Sequence, residues 1–507
     1  MDERQRALQS MVGNLHTAAI DRRLRTIGSK EDDLAGQGIG ESPSFGEDMT
    51  RREALAGAVA GSLIVAGPAS AARPPRDRFV IGVAAAAAQT ESRDGRGRSN
   101  WDVFSDTPGK IHDGSTNARC IEFETHYAQD LDRLKAAGVK AFRMSIAWPR
   151  IQPDGPGAPN RAGLDLYARI VDAMLERGIE PWVTLFHWDT PVWAGNFMSR
   201  DIAGRLADYA GIVTTHLGDR VKNWIVANEP GSVALLGYGS GEHAPGLKSP
   251  LALIAAIHHQ NLAIGKVANA ARAQLPVTAL LGTTHIAIPV RPETPGKPED
   301  VAAAARMHAI ANTAFLDPLF GKGYPDSFAP LVAPLVKPGD LDTIATKLDF
   351  LGVNYYARLY VRAVPGPAGF AVAEAPANLP RTAMSPVEPD GLTEALVWVK
   401  QRYGPLPIYV TETGFALTGE TAWDSGLNDR QRLAWLDQYL GAAATARAQG
   451  VDLRGLFYWA ATDNWEWAQG FTKRFGLIAV DPKTQHRANK QSLSRYAALV
   501  RKHFPEV

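Results

Sequence analysis

From about Arg78 onward, apolar residues gather in short β-branched or aromatic runs, and longer stretches with helical spacing separate them. Eight runs recur: "RFVIGVA", "AFRMSIA", "PWVTLFH", "NWIVANE", "PVTALLGTTHI", "DFLGVNYY", "PIYVTET" and "RGLFYWAA". Such runs, bounded by turn residues, read as buried strands. Between them, Leu164, Tyr167, Ala168, Val171, Met174 and Leu175 fall on one face of a helix that ends before Gly178. Strands separated by helices imply parallel crossovers, and eight of them predict an α/β fold of the closed (β/α)8 type, a TIM barrel. The runner-up is an open doubly wound sheet. It is disfavoured because "GVAAAAAQT" stands where a dinucleotide fold places GxGxxG after its first strand. No short repeat or interdomain linker interrupts the rhythm, so a single domain over residues 78–505 is expected. The Pro/Gly/Ala-rich stretches after "PVTALLGTTHI" and around "VPGPAGFAVAEAPANLPRT" read as barrel-top loops.

The first residues follow a different pattern. Residues 1–48 are polar, charged and turn-rich; residues 49–72, "MTRREALAGAVAGSLIVAGPASAA", run from paired basic residues through a weakly apolar middle to a small-residue exit. That order describes a removable export signal, and Arg51 and Arg52 resemble the twin-arginine type, with Ala54 where that pattern favours phenylalanine. A transmembrane anchor fits poorly with so much Gly, Ala and Pro, and a helix of the fold fits poorly with the "RPPRD" that follows. The expectation is a periplasmic or secreted protein, free of the membrane once the signal is removed, and cytoplasmic if the signal does not function. A long polar preface to a signal is unusual, so Met49 is expected to be the true start and residues 1–48 untranslated. N-terminal sequencing of the secreted chain tests this, and a mature chain retaining those residues would sink it.

Composition narrows the class without naming the chemistry. The 507 residues are 45% hydrophobic with a formal net charge of +1, enough for a large core and without the basic excess that favours nucleic acid. The single cysteine, Cys120, rules out an internal disulfide and a multi-cysteine metal site, and is expected to be a buried apolar thiol.

In a parallel barrel the chemistry sits at the C-terminal ends of the strands. The predicted ends hold Gln89, Arg143, His187 with Trp188, Asn228 with Glu229, Asn354 with Tyr356, Glu412 and Trp459. Each has a bland alternative: His187 as a satisfied core histidine, Tyr356 as a packing ring, Trp459 as core. Convergence of so many polar and aromatic groups on one rim favours a functional site. Glu229 and Glu412, at the fourth and seventh strands, face each other across the mouth. Two facing carboxyls suit acid/base or nucleophilic work on an acid-labile bond, most naturally a glycosidic one. A carboxylate-bridged metal lacks ligands, since only His187 stands near both and no HxH or HExxH accompanies them. In a salt-bridged structural arrangement Arg143 could satisfy one glutamate but not both.

Eight motifs extend this reading. "FRMSIAWPRIQPDGPG", "TLFHWDTP", "HLGDRVKNWI", "VANEP", "GYGSGEHAPG", "LGVNYY", "VTETG" and "DNWEWAQGFTKRFGL" stand in order between about Phe79 and Tyr496. Together they resemble glycoside hydrolase family 1, the retaining β-glucosidases and their relatives. The resemblance implies hydrolysis of terminal, non-reducing β-D-glucosyl residues from a small β-glycoside or short oligosaccharide, through a covalent glycosyl-enzyme and with no cofactor or metal. It makes Glu229 the general acid/base, Asn228 the partner of the sugar 2-hydroxyl and Glu412 the nucleophile. Arg143, Asn354 and Tyr356 are implied as support that keeps the nucleophile ionised and aimed. Gln89, His187, Trp188, Glu466 and Trp467 would grip the glycone, over Trp459 as an aromatic floor. Relatives acting on 6-phosphorylated sugars generally lack a carboxylate at the position of Glu466, and an acid there repels phosphate, so an unphosphorylated glycone is expected. Retention implies a carboxyl separation of about 5 to 5.5 Å.

Some positions depart from the family pattern. Thr413 follows the nucleophile in place of asparagine, Ala88 and Ser92 replace a tyrosine and a glycine, Val192 and Trp193 begin an altered loop, and Ser385 stands at an aglycone-side tryptophan. They leave aglycone preference open, as well as the choice among glucoside, galactoside and fucoside. A β-galactosidase or another retaining barrel glycosidase is the nearer alternative, without the "NWEW" motif present here. A non-catalytic carbohydrate-binding barrel should have lost one glutamate.

Overall fold

A computed structural model describes residues 79–366, 369–419 and 422–507. The N-terminal extension and the expected export signal lie outside the described residues. Eight parallel strands close into a barrel: β1 (Val80–Ala84), β2 (Ala141–Ser145), β3 (Glu180–Phe186), β4 (Asn223–Asn228), β5 (Leu280–Ile286), β6 (Phe350–Asn354), β7 (Ile408–Thr413) and β8 (Leu453–Trp459). Each strand pairs with the next, and β8 pairs with β1 through Val80↔Gly455 to Ala84↔Trp459. All eight predicted runs therefore became barrel strands, and the expected closed topology is the observed one.

The barrel closes because large and small side chains alternate around its interior. Trp182 on β3 meets Phe350 on β6, Tyr409 on β7 and Phe457 on β8 at centroid distances of 5.4, 4.7 and 5.0 Å. Room for those rings comes from glycines on the strands between. A Cβ on Gly82 would lie 2.2 Å from the Phe457 ring, and one on Gly282 would lie 2.5 Å from the Phe350 ring. Interiors pack near crystal density, so neither glycine can carry a side chain without moving the rings.

The outer layer comprises α1 (Phe123–Ala136), α2 (Arg161–Glu176), α3 (Asp201–Leu217), α4 (Pro250–Gln274), α5 (Pro298–His308), α6 (Pro389–Tyr403), α7 (Arg430–Ala448) and α8 (Gln491–His503). Local chemistry sets their ends. Ser249 caps α4 by accepting from the Ala252 N–H, with Pro250 as the first helical residue. The predicted helix over Leu164 to Leu175 is α2, and Gly178 follows it at φ +67°. Leu164, Tyr167, Val171 and Met174 are buried, whereas Leu175 is 42% exposed; it stands one position past the buried stripe.

The Pro/Gly-rich stretches hold more structure than loops. Val290–Pro292, Leu359–Arg362 and Ala371–Ala373 form a separate three-stranded sheet. Val361 in that sheet and Phe370 just before its last strand pack with Ala303, Ala304 and Met307 of α5 in a small second core. Cys120 is a buried free thiol, pushed far up by burial.

Candidate active site

Glu229 follows the last residue of β4, and Glu412 is the fifth of the six residues of β7. Both strands carry one extra residue just before the acid. On β4 the pairing with β5 passes from Ile225↔Gly282 to Asn228↔Thr284; on β7 the pairing with β6 passes from Val410↔Val353 to Glu412↔Asn354. Alternate strand residues face opposite sides, so an inserted residue lets two successive side chains reach inward. Thr411 and Glu412 both do so, as do Asn228 and Glu229. Glu229 completes the turn in the left-handed region, at φ +45°.

The two carboxyls have opposite surroundings. Glu412 accepts from a guanidinium N–H of Arg143 and, at 3.0 Å, from the Tyr356 hydroxyl. Burial, followed by the charge of Glu412, pushes the Tyr356 phenol well up, so it remains a donor. Among the described residues, Glu229 forms no ion pair. Its Oε1 accepts from Asn354 Nδ2 at 2.7 Å, and its Oε2 lies 2.6 Å from the Ser232 hydroxyl. Burial, then the charge of Glu412, raises its pKa to about 7. Arg143 thus serves one glutamate alone, and its second Nη donates to Asn228 Oδ1 at 2.6 Å.

A chain of hydrogen bonds joins the two acids. Thr284 donates to Thr411 Oγ1 at 3.1 Å, and Thr411 donates to Asn354 Oδ1 at 2.7 Å. That contact turns the Asn354 amide so that Nδ2 serves both Glu229 and Asn228 Oδ1, the latter at 3.1 Å. The route then continues from Asn228 through Arg143 to Glu412. Gly352 makes the Thr284–Thr411 contact possible, since a Cβ there would lie 2.3 Å from Thr284 Oγ1. Asn354, expected as support for Glu412, has its amide on Glu229 instead: it ends β6 beside both acids, and Arg143 and Tyr356 already occupy the nucleophile's oxygens.

The other expected residues surround this pair. Two donors occupy Asn228 Oδ1, so its Nδ2 donates to His187 Nε2 at 3.0 Å. Burial and Arg143 hold His187 neutral, which leaves the proton on Nδ1, buried and without a partner among the described residues. Gln89 lies in the short helix Ala87–Thr90 after β1. Its Nε2 donates to Glu466 Oε2 at 3.0 Å and to Asn464 Oδ1 at 3.2 Å, and its Oε1 is a buried acceptor without a partner among the described residues. Trp459 ends β8 and stacks on His187 at 6.0 Å. Trp188 directs its N–H to the Asn228 carbonyl at 2.9 Å and stacks on Trp467 at 4.5 Å. The cleft therefore offers one oriented donor and one oriented acceptor beside two acids and an aromatic wall, a layout suited to a polyhydroxylated ring.

The loop carrying Glu466 and Trp467 is anchored from outside the cleft. Asp463 accepts from Lys490 Nζ at 2.6 Å and from the Gly476 N–H at 2.9 Å. On its outer side the Phe471 N–H donates to Asp113 at 2.7 Å, and the Trp465 N–H donates to Ser115 at 3.0 Å.

Of the departures, Thr413 is buried at the end of β7, its hydroxyl without a partner among the described residues. Ser385 closes a turn in which Thr382 N–H donates to its carbonyl at 2.8 Å, and the adjoining Ala383 N–H donates to Ala416 O at 3.0 Å. That loop therefore lies beside the chain just beyond Glu412. Val192 is half exposed, while Trp193 turns in and donates to the Gln152 carbonyl at 2.8 Å. Ala88 is buried in the helix with Gln89, and Ser92 binds Glu124.

Sequence reasoning missed Ser232, Asn464, Trp101 and the Thr284–Thr411 pair. Ser232 carried a signal, standing three residues after Glu229 and so within reach of it across one helical turn. Trp101 packs on Trp467 at 4.5 Å but lies in a stretch with no strand end to mark it.

The chain is similar to proteins of known sequence and structure. Beta-glucosidase A of Thermotoga maritima is 37% identical over 435 residues, covering 83% of this chain and 97% of that protein. A Bifunctional beta-D-glucosidase/beta-D-fucosidase of Bifidobacterium breve is 38% identical over 458 residues, covering 84% and 98%. The solved structure of the Thermotoga maritima beta-glucosidase in complex with deoxynojirimycin superposes with a TM-score of 0.79 at 36% identity, covering 85% of this chain and 99% of that one. The sequence profile of Glycosyl hydrolase family 1 matches residues 72–504, nearly the whole described chain, and the protein is a glycoside hydrolase of that family.

Proposed function

We propose that the protein is a β-glucosidase that removes terminal, unphosphorylated β-D-glucosyl residues with retention of configuration. The observation that carries this is the division of labour between two buried acids. Glu412 sits against a guanidinium and a phenol, and Glu229 against neutral donors with its pKa raised to about 7. In the first step an oxygen of Glu412 bonds to the anomeric carbon. The bond to the aglycone oxygen breaks, its electron pair leaves with that oxygen, and Glu229 supplies the proton. In the second step Glu229 takes a proton from water as the water oxygen attacks the same carbon, and Glu412 departs. Two inversions give net retention.

The glycone contacts follow from the oriented groups. The His187 Nδ1–H and Gln89 Oε1 provide a donor and an acceptor for ring hydroxyls, with Asn228 beside Glu229 for the 2-hydroxyl and Trp459 beneath the ring. Glu466, 8% exposed and bound by Gln89, belongs to the same proposed glycone site. A phosphate dianion beside that carboxylate would meet repulsion in a site of low dielectric. The relatives named for glucosidase activity support a glucoside, and the Bifidobacterium breve protein keeps a fucoside in view.

An aryl β-glucoside, the matching galactoside and fucoside, and the glucoside 6-phosphate distinguish these readings. We expect the glucoside to have the highest kcat/KM and the 6-phosphate a value lower by about 10²-fold or more, the effect of about 3 kcal/mol of repulsion. A 6-phosphate turned over as well as the free glucoside would overturn the assignment of Glu466.

A further inference from the structure

Ser232 lies one turn into the helix that follows Glu229, and its Oγ is 2.6 Å from Glu229 Oε2. Counting hydrogens shows why this contact differs from the others around the acid. The Asn354 amide is oriented by Thr411, which donates to its Oδ1, so Asn354 presents an N–H to Glu229 Oε1. An amide nitrogen donates and cannot accept. While that bond stands, Oε1 is an acceptor, and the proton of neutral Glu229 resides on Oε2. The partner of that oxygen is Ser232, whose hydroxyl can both accept and donate.

We propose that Ser232 is a further catalytic residue, whose hydroxyl accepts from the proton-bearing oxygen of Glu229 in the resting enzyme and turns to donate to it once the proton has passed to the leaving aglycone. Atoms and charge balance without another reactant. The Oε2 proton moves to the glycosidic oxygen, the carbon–oxygen bond breaks towards that oxygen, and Glu412 closes the new bond at the anomeric carbon. Carboxylate charge appears on Glu229 in the same event. A hydroxyl that rotates to meet it stabilises the transition state more than the ground state, which is the condition for acceleration. In the second step Oε2 regains its proton from water, and Ser232 turns back. This inference rests on the assignment of Glu229 as acid/base.

The other titratable or charged groups facing Glu229 are Glu412 from β7, Arg143 from β2 and Tyr356 after β6. His285 on β5 turns away and packs against Phe315 at 6.3 Å. Among the described residues, Ser232 makes the hydrogen bond to Oε2. In keeping with this geometry, its hydrogen bond acts to lower the pKa of Glu229, against the larger effects of burial and Glu412.

The test compares Ser232→Ala and Ser232→Thr with the unaltered enzyme on two aryl β-glucosides, one with a poor and one with an activated leaving group. For Ser232→Ala, the alkaline limb of kcat/KM should move up by about half to one pH unit, the scale of one hydrogen bond. On the poor leaving group, the plateau of kcat/KM should fall about 3- to 10-fold, since that step needs the developing charge stabilised. The activated substrate should lose less. Ser232→Thr, which keeps the hydroxyl, should restore both the limb and the plateau. Glu229→Ala separates the two levels of argument. If its limb persists, the acid/base assignment has failed; if its limb vanishes while Ser232→Ala, folded by circular dichroism, keeps the limb and rates of the unaltered enzyme, the role of Ser232 alone is overturned. Failure of Ser232→Thr to recover what Ser232→Ala loses would also overturn it, because the loss would then come from packing.

Discussion

Glu412→Ala loses at least about 10⁴-fold in kcat on an aryl β-glucoside, the scale on which removal of an enzyme nucleophile acts. The opposite acid, Glu229, does not replace it, because it stands just past another strand and is engaged with Asn354 and Ser232. The truncation leaves Arg143 buried with one fewer acceptor, so thermal unfolding should be measured alongside, to show that loss of rate is not loss of fold. A small anion supplies the sharper readout. Azide admitted to the space left by the carboxyl attacks the anomeric carbon from the same face as Glu412 does, and a single displacement gives the α-glucosyl azide. Appearance of that inverted product, followed by NMR, identifies the missing side chain as the nucleophile. Turnover with retention in Glu412→Ala would show that the bond to the enzyme forms elsewhere.

Glu229→Ala has the second largest effect, and it depends on the substrate. With a poor leaving group, the loss of the proton donor should lower kcat/KM by about 10²- to 10⁴-fold, the range of general acid catalysis. With a leaving group that departs unprotonated, glycosylation should be nearly spared, and hydrolysis of the glycosyl-enzyme should become the slow step. The pH profile carries the sign of the effect. Glu229 must be protonated to act as acid, and burial followed by the charge of Glu412 raises its pKa to about 7. In the unaltered enzyme kcat/KM is therefore retained below that value and lost as pH rises through it. In Glu229→Ala that limb should be absent. Its persistence at the same midpoint would assign it to another group. The same electrostatics explains how one carboxyl performs both steps. Once Glu412 has become an ester its charge is gone, one of the two causes raising Glu229 disappears, and the acid of the first step becomes a better-ionised base for the second.

Much of the barrel was legible because its strands announce themselves twice, by apolar content and by polar residues where each run stops. Glu229, Glu412, His187, Asn228 and Tyr356 all stand at such stops, and all meet at one rim. Contacts depending on partners far along the chain were not legible. The family resemblance assigned Arg143 to Glu412, but nothing in the sequence said that its second Nη would be taken by Asn228. Asn354 was read as a support of Glu412 and binds Glu229. Gly414, two residues past Glu412, is needed for a close approach between distant segments: a Cβ there would lie 2.0 Å from the Trp459 carbonyl oxygen.

What the sequence determined alone was the periodic alternation that builds a closed parallel barrel, the two acids on strands four and seven, and the family motifs around them. Those properties are local, written in spacing and residue type. What only the tertiary structure decided was how the acids differ. One extra residue in each acid-bearing strand turns both carboxyls inward, and neighbours from other strands give Glu412 a cation and Glu229 only neutral donors. Protonation is set by desolvation and by charges a few ångströms away in space, whatever their distance along the chain. Two glutamates of identical chemistry thus acquire different tasks only after the chain has folded around them.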